Sequence, residues 1–224
     1  MIQIPQTALD FLKQLKKNNN RVWFDAHKTQ FKEEEVKLKS FYNAVLEDLN
    51  EKDVIDKMKV FRIYRDVRFS KDKTPYNVHR SVSFSRATES LRGGYYLRIS
   101  PGESMMAGGF FQPNPADLLR IRKEFETDAA EMREIISDTK FVNLFGVIEG
   151  DEVKSAPRGF DKTHPSIDLI RKKSFIVTRK FTDEEVLAAD FREKIKESYL
   201  ALRPFFNYMS DVLTTDINGV SILK

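Results

Sequence analysis

The chain has 224 residues and a formal net charge of +4, and 41% of its residues are hydrophobic. This apolar content suffices for a folded core, which excludes a chain that is disordered throughout. The absence of cysteine excludes disulfides, a thiolate nucleophile and a cysteine-based metal site. No apolar run approaches the roughly 20 residues of a membrane-spanning helix, and the first residues do not resemble a secretion signal. We therefore expect a soluble, cytoplasmic protein with no membrane partner.

The first predicted elements are helices. Residues 7–17 place apolar side chains at helical spacing, with Thr7 as the expected N-cap. The three asparagines at 18–20 are expected to end this helix and begin the next, because asparagine suits both kinds of helix cap. The second helix is predicted over residues 21–50, with the glutamates at 33–35 on its exposed side. Together these helices would form an N-terminal helical hairpin.

Strands follow, with helices after them. Short runs rich in β-branched or aromatic residues predict strands at residues 59–69, 81–86, 94–100, 105–111, 141–148 and 174–181. The turns between neighbouring strands are too short for helical crossovers, so the sheet is expected to be mostly an antiparallel meander. The glycine pair Gly108-Gly109 indicates a bulge or a close backbone approach. Long helices are predicted over residues 115–138 and 182–215, the second capped by Thr182. The expected fold is a single α+β domain that spans residues 1–224.

Positive charge is concentrated in the middle of the chain. The segment from Lys59 to Arg98 contains ten basic and three acidic residues, a local net charge of +7. Since the whole chain carries +4, the remainder carries −3. A local positive field of this kind favours anionic partners.

Alternation within the first three strands predicts one face that points away from the core. In residues 60–69 the odd positions are mostly apolar and the even positions are mostly arginine or tyrosine, and residues 81–86 and 94–99 divide similarly. Short serines between long arginines and tyrosines would form a shallow trough. Guanidinium groups there would bind a carboxylate or phosphate, and the rings would stack on a planar group. Arg65 falls on the core side, where a structural ion pair is expected.

The predicted ligand-binding residues are Arg62, Tyr64, Arg68, Lys73, His79, Ser83, Tyr96 and Arg98. Lys73 lies in a loop that can close over an anion, although Asp-Lys-Thr-Pro is also an ordinary turn sequence. His79 is the candidate acid or base near the trough, and Asp66 is expected to pair with a neighbouring arginine. The three histidines are not spaced as zinc ligands, so no metal site is predicted, and catalytic residues and cofactors are unknown. Alternatively, helices cover this face and its arginines pair with their acids.

Four stretches of the sequence resemble a known family. They are KVFRIYRDVRFSKDKTPYNVH (59–79), NNNRVWFDAHK (18–28), GGYYLRISPG (93–102) and GFDKTHPSIDLIRKKSF (159–175). The chain is similar to a conserved hypothetical family of bacterial and fungal proteins with the hallmark FRIYRDVRFSKDKTPY, classed as a domain of unknown function. The resemblance implies a single full-length domain, and it implies no reaction, cofactor or partner.

Three functions stay open, in this order. The first is a binding protein or enzyme for a small anionic ligand, phosphorylated or carboxylate, held on the basic sheet face. The second is a module that binds single-stranded nucleic acid, whose bases would stack on the tyrosines. The third is a structural or protein-interaction domain with no small-molecule ligand. The sequence leaves enzymatic activity and oligomeric state open.

Overall fold

The computed structural model describes residues 2–216 and 218–223, and it places five strands in one sheet. The strands are β1 (Ile55–Val60), β2 (Arg80–Arg86), β3 (Gly94–Ile99), β4 (Ser104–Phe110) and β5 (Phe175–Phe181). Their order in the sheet is their order in the chain. The predicted antiparallel meander and α+β class are therefore confirmed.

Helices precede and follow the first four strands. They are α1 (Gln6–Lys17), α2 (Arg21–Ala26), α3 (Lys28–Asn50), α4 (Pro115–Thr127), α5 (Ala130–Ser137), α6 (Thr139–Phe145), α7 (Ile167–Ile170), α8 (Asp183–Leu187), α9 (Phe191–Ala201) and α10 (Arg203–Thr214). In the described residues none of these helices is long and apolar enough to cross a membrane.

Contacts within the chain define two compact units. The first consists of residues 1–84, 96–106 and 180–197, and the second of residues 85–95, 107–179 and 198–224. The organisation as a single domain stays a prediction.

The N-terminal helices of the first unit depart from the sequence predictions in three ways. Thr7 is not the N-cap of α1, because that position is Pro5, and the Thr7 hydroxyl donates instead to the Glu34 carboxylate at 2.9 Å. Glu34 is buried and the Glu35 side chain is only 14% exposed, so the predicted exposed acidic patch is wrong at both residues. The predicted helix over 21–50 is interrupted at His27, whose ring stacks on Trp23 with centroids 4.1 Å apart.

The predicted strand over 59–69 is wrong beyond Val60. We call residues 61–79 the excursion, because they leave the sheet between β1 and β2. Tyr64 and Tyr76 form an isolated antiparallel bridge, and the backbone N–H and C=O of Tyr76, which point away from Tyr64, bond to the side-chain amide of Asn19 at 3.1 and 2.9 Å. Pro75 has no N–H to donate, which breaks the ladder at the next position. Two backbone bonds join the two sides of the excursion at this bridge, Arg65 N–H to Pro75 C=O at 2.9 Å and Asn77 N–H to Ile63 C=O at 2.7 Å.

The inner side of the excursion belongs to an apolar cluster with the first two helices. Its buried members are Phe11, Leu12, Leu15, Phe24, Ile63 and Tyr76. The ring of Tyr76 stacks on Phe24 with centroids 4.0 Å apart. Burying such side chains stabilises a fold by about 1.5–3 kcal/mol each, which anchors the excursion at this end.

Two sequence predictions are also wrong in the second unit. Residues 141–148 were expected to form a strand, but residues 139–145 form α6, which Asp138 caps by accepting from the N–H groups of Lys140 and Phe141. Phe141 and Phe145 are one helical turn apart and both are buried, a spacing that suits a helix as well as a strand. The predicted helix over 115–138 breaks at Asp128, whose backbone is extended.

The predicted helix over 182–215 is three helices, α8 to α10. Its start is confirmed, because Thr182 and Glu185 form a capping box. The continuous helix fails because Ala188 is extended and because Pro204, at the start of α10, has no N–H for a preceding helical carbonyl.

Candidate functional site

A groove of about 410 Å³ lies in the first unit, between the excursion and the sheet. We call it the Arg62 groove. Its lining residues are Phe61, Arg62, Tyr64, Arg65, Asp66, Asn77, His79, Ser81 and Tyr96. Four of the eight predicted ligand-binding residues are among them, namely Arg62, Tyr64, His79 and Tyr96.

The side chains of β2 and β3 alternate between the core and the groove. Val82 and Phe84 of β2 and Tyr95, Leu97 and Ile99 of β3 are buried, as predicted for the core face. Ser81 and Tyr96 occupy the opposite register and line the groove. Between His79 and Ser81, Arg80 is buried and forms a bidentate ion pair with Glu35 of α3, with both distances 2.7 Å.

The excursion forms the other wall of the groove. Most of its charged side chains pair with other residues of the excursion. The Arg65 guanidinium donates to Asp72 at 2.6 Å and to the hydroxyl of Thr74, so the predicted structural ion pair of Arg65 is confirmed. Asp66 pairs with Arg68 at 2.6 and 3.0 Å, also as expected. These pairs fold the excursion back on itself.

Arg62 differs from these arginines. Within residues 2–216 and 218–223 its guanidinium has no hydrogen-bond or ion-pair partner, although its backbone C=O accepts from Asn77 at 3.2 Å. Arg62 is exposed and lines the groove. Its five donors are therefore available to a ligand.

Four predicted residues lie outside the groove lining. Arg68 is held by Asp66, and the Lys73 ammonium donates to the carbonyl of Val67 at 2.9 Å. Arg98 donates twice to the carbonyl of Glu103, at 3.2 and 3.1 Å. Ser83 is half-buried on β2, two residues beyond Ser81.

Aromatic rings form much of the groove wall. Tyr64 is 48% exposed and Phe61 is 37% exposed, and the Phe61 ring meets Tyr96 edge to face with centroids 6.1 Å apart. Phe61 and Arg65 were missed as site residues because the strand pattern assigned odd positions to the core. Asn77 was missed as well, because it lies between two predicted strands, where alternation gives no signal.

His79 is held neutral by its surroundings. Partial burial lowers the pKa of the imidazole, and the guanidinium groups of Arg98 and Arg80 lower it further, against a smaller opposing effect of Glu103. A neutral imidazole has one nitrogen that accepts a hydrogen bond and one that donates. At neutral pH His79 is therefore a hydrogen-bonding group of the groove rather than a cation.

Asp66 is the acidic member of the lining. Its hydrogen bonds from Arg68 lower the pKa of the carboxyl, and the charge of Arg62 lowers it further. Asp66 is therefore ionised at neutral pH, and the groove has a negative as well as a positive side. No three acidic or histidine residues in the described part of the chain are grouped to hold a metal ion.

Comparisons with known proteins identify a family. Neither a curated protein nor a solved structure matches the chain. A family model described as "Conserved hypothetical protein (DUF2461)" matches residues 7–208, which confirms the resemblance. Because this match covers most of the 224 residues, the chain belongs to the conserved hypothetical protein family DUF2461.

Proposed function

We propose that the Arg62 groove binds a small anionic ligand, phosphorylated or carboxylate, that also carries a planar ring. The observation that carries this proposal is the Arg62 guanidinium, which lines the groove and has no partner in the part of the chain that the structure describes. A guanidinium fork binds a phosphate or carboxylate through two parallel hydrogen bonds.

The other lining residues favour a ring next to the anionic group. The partly exposed rings of Phe61 and Tyr64 offer apolar surface on which a planar group stacks. Asn77, His79 and Ser81 supply neutral donors and acceptors for its edge. Asp66 would repel a second anionic group bound beside it, so we expect a ligand to place one anionic group inside the groove.

Arg62→Ala is expected to weaken binding of such a ligand by roughly 10- to 100-fold, the loss of about 1.5–3 kcal/mol for hydrogen bonds to a charged group. Adenosine monophosphate, uridine monophosphate, inorganic phosphate and benzoate are suitable probes in isothermal titration calorimetry. The nucleoside monophosphates should bind more tightly than phosphate, because only they present a ring to Phe61 and Tyr64.

Arg158→Ala is the matched control. Arg158 is an exposed arginine of the second unit, outside the groove, and its replacement makes the same change in net charge. The affinity of the Arg158→Ala variant for each probe should equal that of the wild type. If none of the probes binds, or if both variants lose the same affinity, the groove is not the binding site that we propose.

A further inference from the structure

The tip of the excursion exposes a phenylalanine almost completely. Phe69 is 97% exposed, the highest value among the large hydrophobic residues of the described chain. Its neighbours Arg68 and Lys71 are exposed and basic. An aromatic ring that is fully hydrated and flanked by cations matches the surface of proteins that stack nucleic-acid bases and contact the phosphates between them.

Phe69 is connected to the Arg62 groove by a short series of contacts. Asp66 lines the groove and accepts from the Arg68 guanidinium at 2.6 Å. The same guanidinium lies 6.0 Å from the centre of the Phe69 ring. The surface therefore runs from the aromatic wall of the groove, past the Asp66–Arg68 ion pair, to the exposed ring.

We infer that the ligand of this surface is single-stranded nucleic acid, with one nucleotide in the Arg62 groove and a neighbouring base on Phe69. This inference rests on the function proposed above, because the groove supplies the first stacking position. A mononucleotide in the groove leaves Phe69 in water, whereas a longer strand covers it and places phosphates beside Arg68 and Lys71.

The local charge agrees with a polyanionic partner. The excursion, residues 61–79, contains five basic and two acidic residues, and this net charge of +3 would attract a phosphate backbone over the distance of a Debye length, about 8 Å at physiological salt. A membrane surface is the less favoured partner. Apart from Phe69, the partly exposed rings of this surface line a groove that also contains the Asp66 carboxylate, and this is unsuited to the acyl region of a bilayer.

Fluorescence anisotropy with labelled oligothymidine and oligouridine of roughly ten nucleotides, a length within the range of known single-strand sites, tests the inference. Both oligomers should bind more tightly than the corresponding mononucleotide. Because Asp66 already pairs with Arg68, we count two phosphate contacts, from Arg62 and Lys71, and at about −0.7 each they predict a slope of about −1.4 for log affinity against log salt. Lys71→Ala should reduce the magnitude of this slope to about 0.7.

Phe69→Ala should weaken oligonucleotide binding by roughly tenfold, the effect of losing one stacked base. The affinity for the mononucleotide should not change, because Phe69 lies outside the groove lining. Phe111→Ala removes a ring that is 73% exposed in the second unit, and it should leave both affinities at the wild-type values.

The possible failures are distinguishable. If mononucleotides bind through Arg62 but the oligomers bind no more tightly and Phe69→Ala has no effect, the groove stands and the nucleic-acid inference is wrong. If the oligomers bind independently of Arg62, the nucleic-acid inference is wrong, and the mononucleotide affinity of Arg62→Ala alone decides whether the groove is a binding site. If Phe69→Ala instead abolishes binding to phosphatidylserine vesicles, with no affinity for the oligomers, the tip contacts a membrane and the inference is overturned.

Discussion

Glu35→Ala is expected to lower the free energy of unfolding by about 3–5 kcal/mol, the usual effect of removing one partner from a buried ion pair. Arg80 is 3% exposed, and its guanidinium donates to both carboxylate oxygens of Glu35, each at 2.7 Å. Without the carboxylate, the guanidinium keeps its charge in a site that excludes water. The Phe31 ring, 5.7 Å from the guanidinium carbon, offsets only a small part of this cost.

Urea denaturation followed by circular dichroism measures this loss, with Glu33→Ala as the control. Glu33 is an exposed glutamate on the same helix, so its replacement should change stability by less than about 0.5 kcal/mol. A loss below about 1 kcal/mol for Glu35→Ala would mean that the Arg80–Glu35 pair is solvated and does not fix the β2 residues that flank it.

Gly109→Ala is expected to destabilise the second unit by about 4 kcal/mol or more, a size seen only when a substitution forces severe strain. A Cβ atom at this position would lie 2.1 Å from the carbonyl oxygen of Phe175, an atom of the adjacent backbone. The φ of +139° is also in a region that residues other than glycine rarely adopt. The close approach that the glycine pair predicts is thus confirmed here.

Gly102→Ala is the control for Gly109→Ala, because it introduces backbone strain without a close contact. Gly102 has a φ of +72°, but nothing lies within 4 Å of the position that an alanine methyl group would take, so the expected loss is about 1–2 kcal/mol. Thermal denaturation of both variants gives the comparison. Equal losses at the two positions would contradict the close contact between Gly109 and β5.

The sheet could be predicted from the sequence because short turns and period-two alternation are local properties. The strands β2, β3 and β4 lie within one or two residues of their predicted bounds. The breaks within the long helices were not predicted, since they depend on single positions such as His27 and Asp128 whose neighbours are good helix formers. The same ambiguity turned residues 141–148 into a predicted strand, because two phenylalanines four residues apart fit either period.

The candidate site was only half predictable, for a long-range reason. Alternation correctly assigned Tyr96 to the face that points away from the core. It failed in the excursion because the chain turns back on itself there, and Tyr64 and Tyr76 are joined by an isolated antiparallel bridge instead of the ladder of one long strand. Phe61 and Arg65 line the groove, although the alternation assigned their odd positions to the core.

An NMR titration of the His79 imidazole tests the central claim most directly, because His79 lies in the groove with Arg62. In the free protein the pKa should lie below the usual value of about 6.5, owing to burial and to the nearby arginines. Saturating adenosine monophosphate should raise this pKa, since a bound anion favours the charged imidazolium. Arg62→Ala should abolish the rise. A His79 pKa that stays the same when the nucleotide is bound would contradict an anion site in this groove.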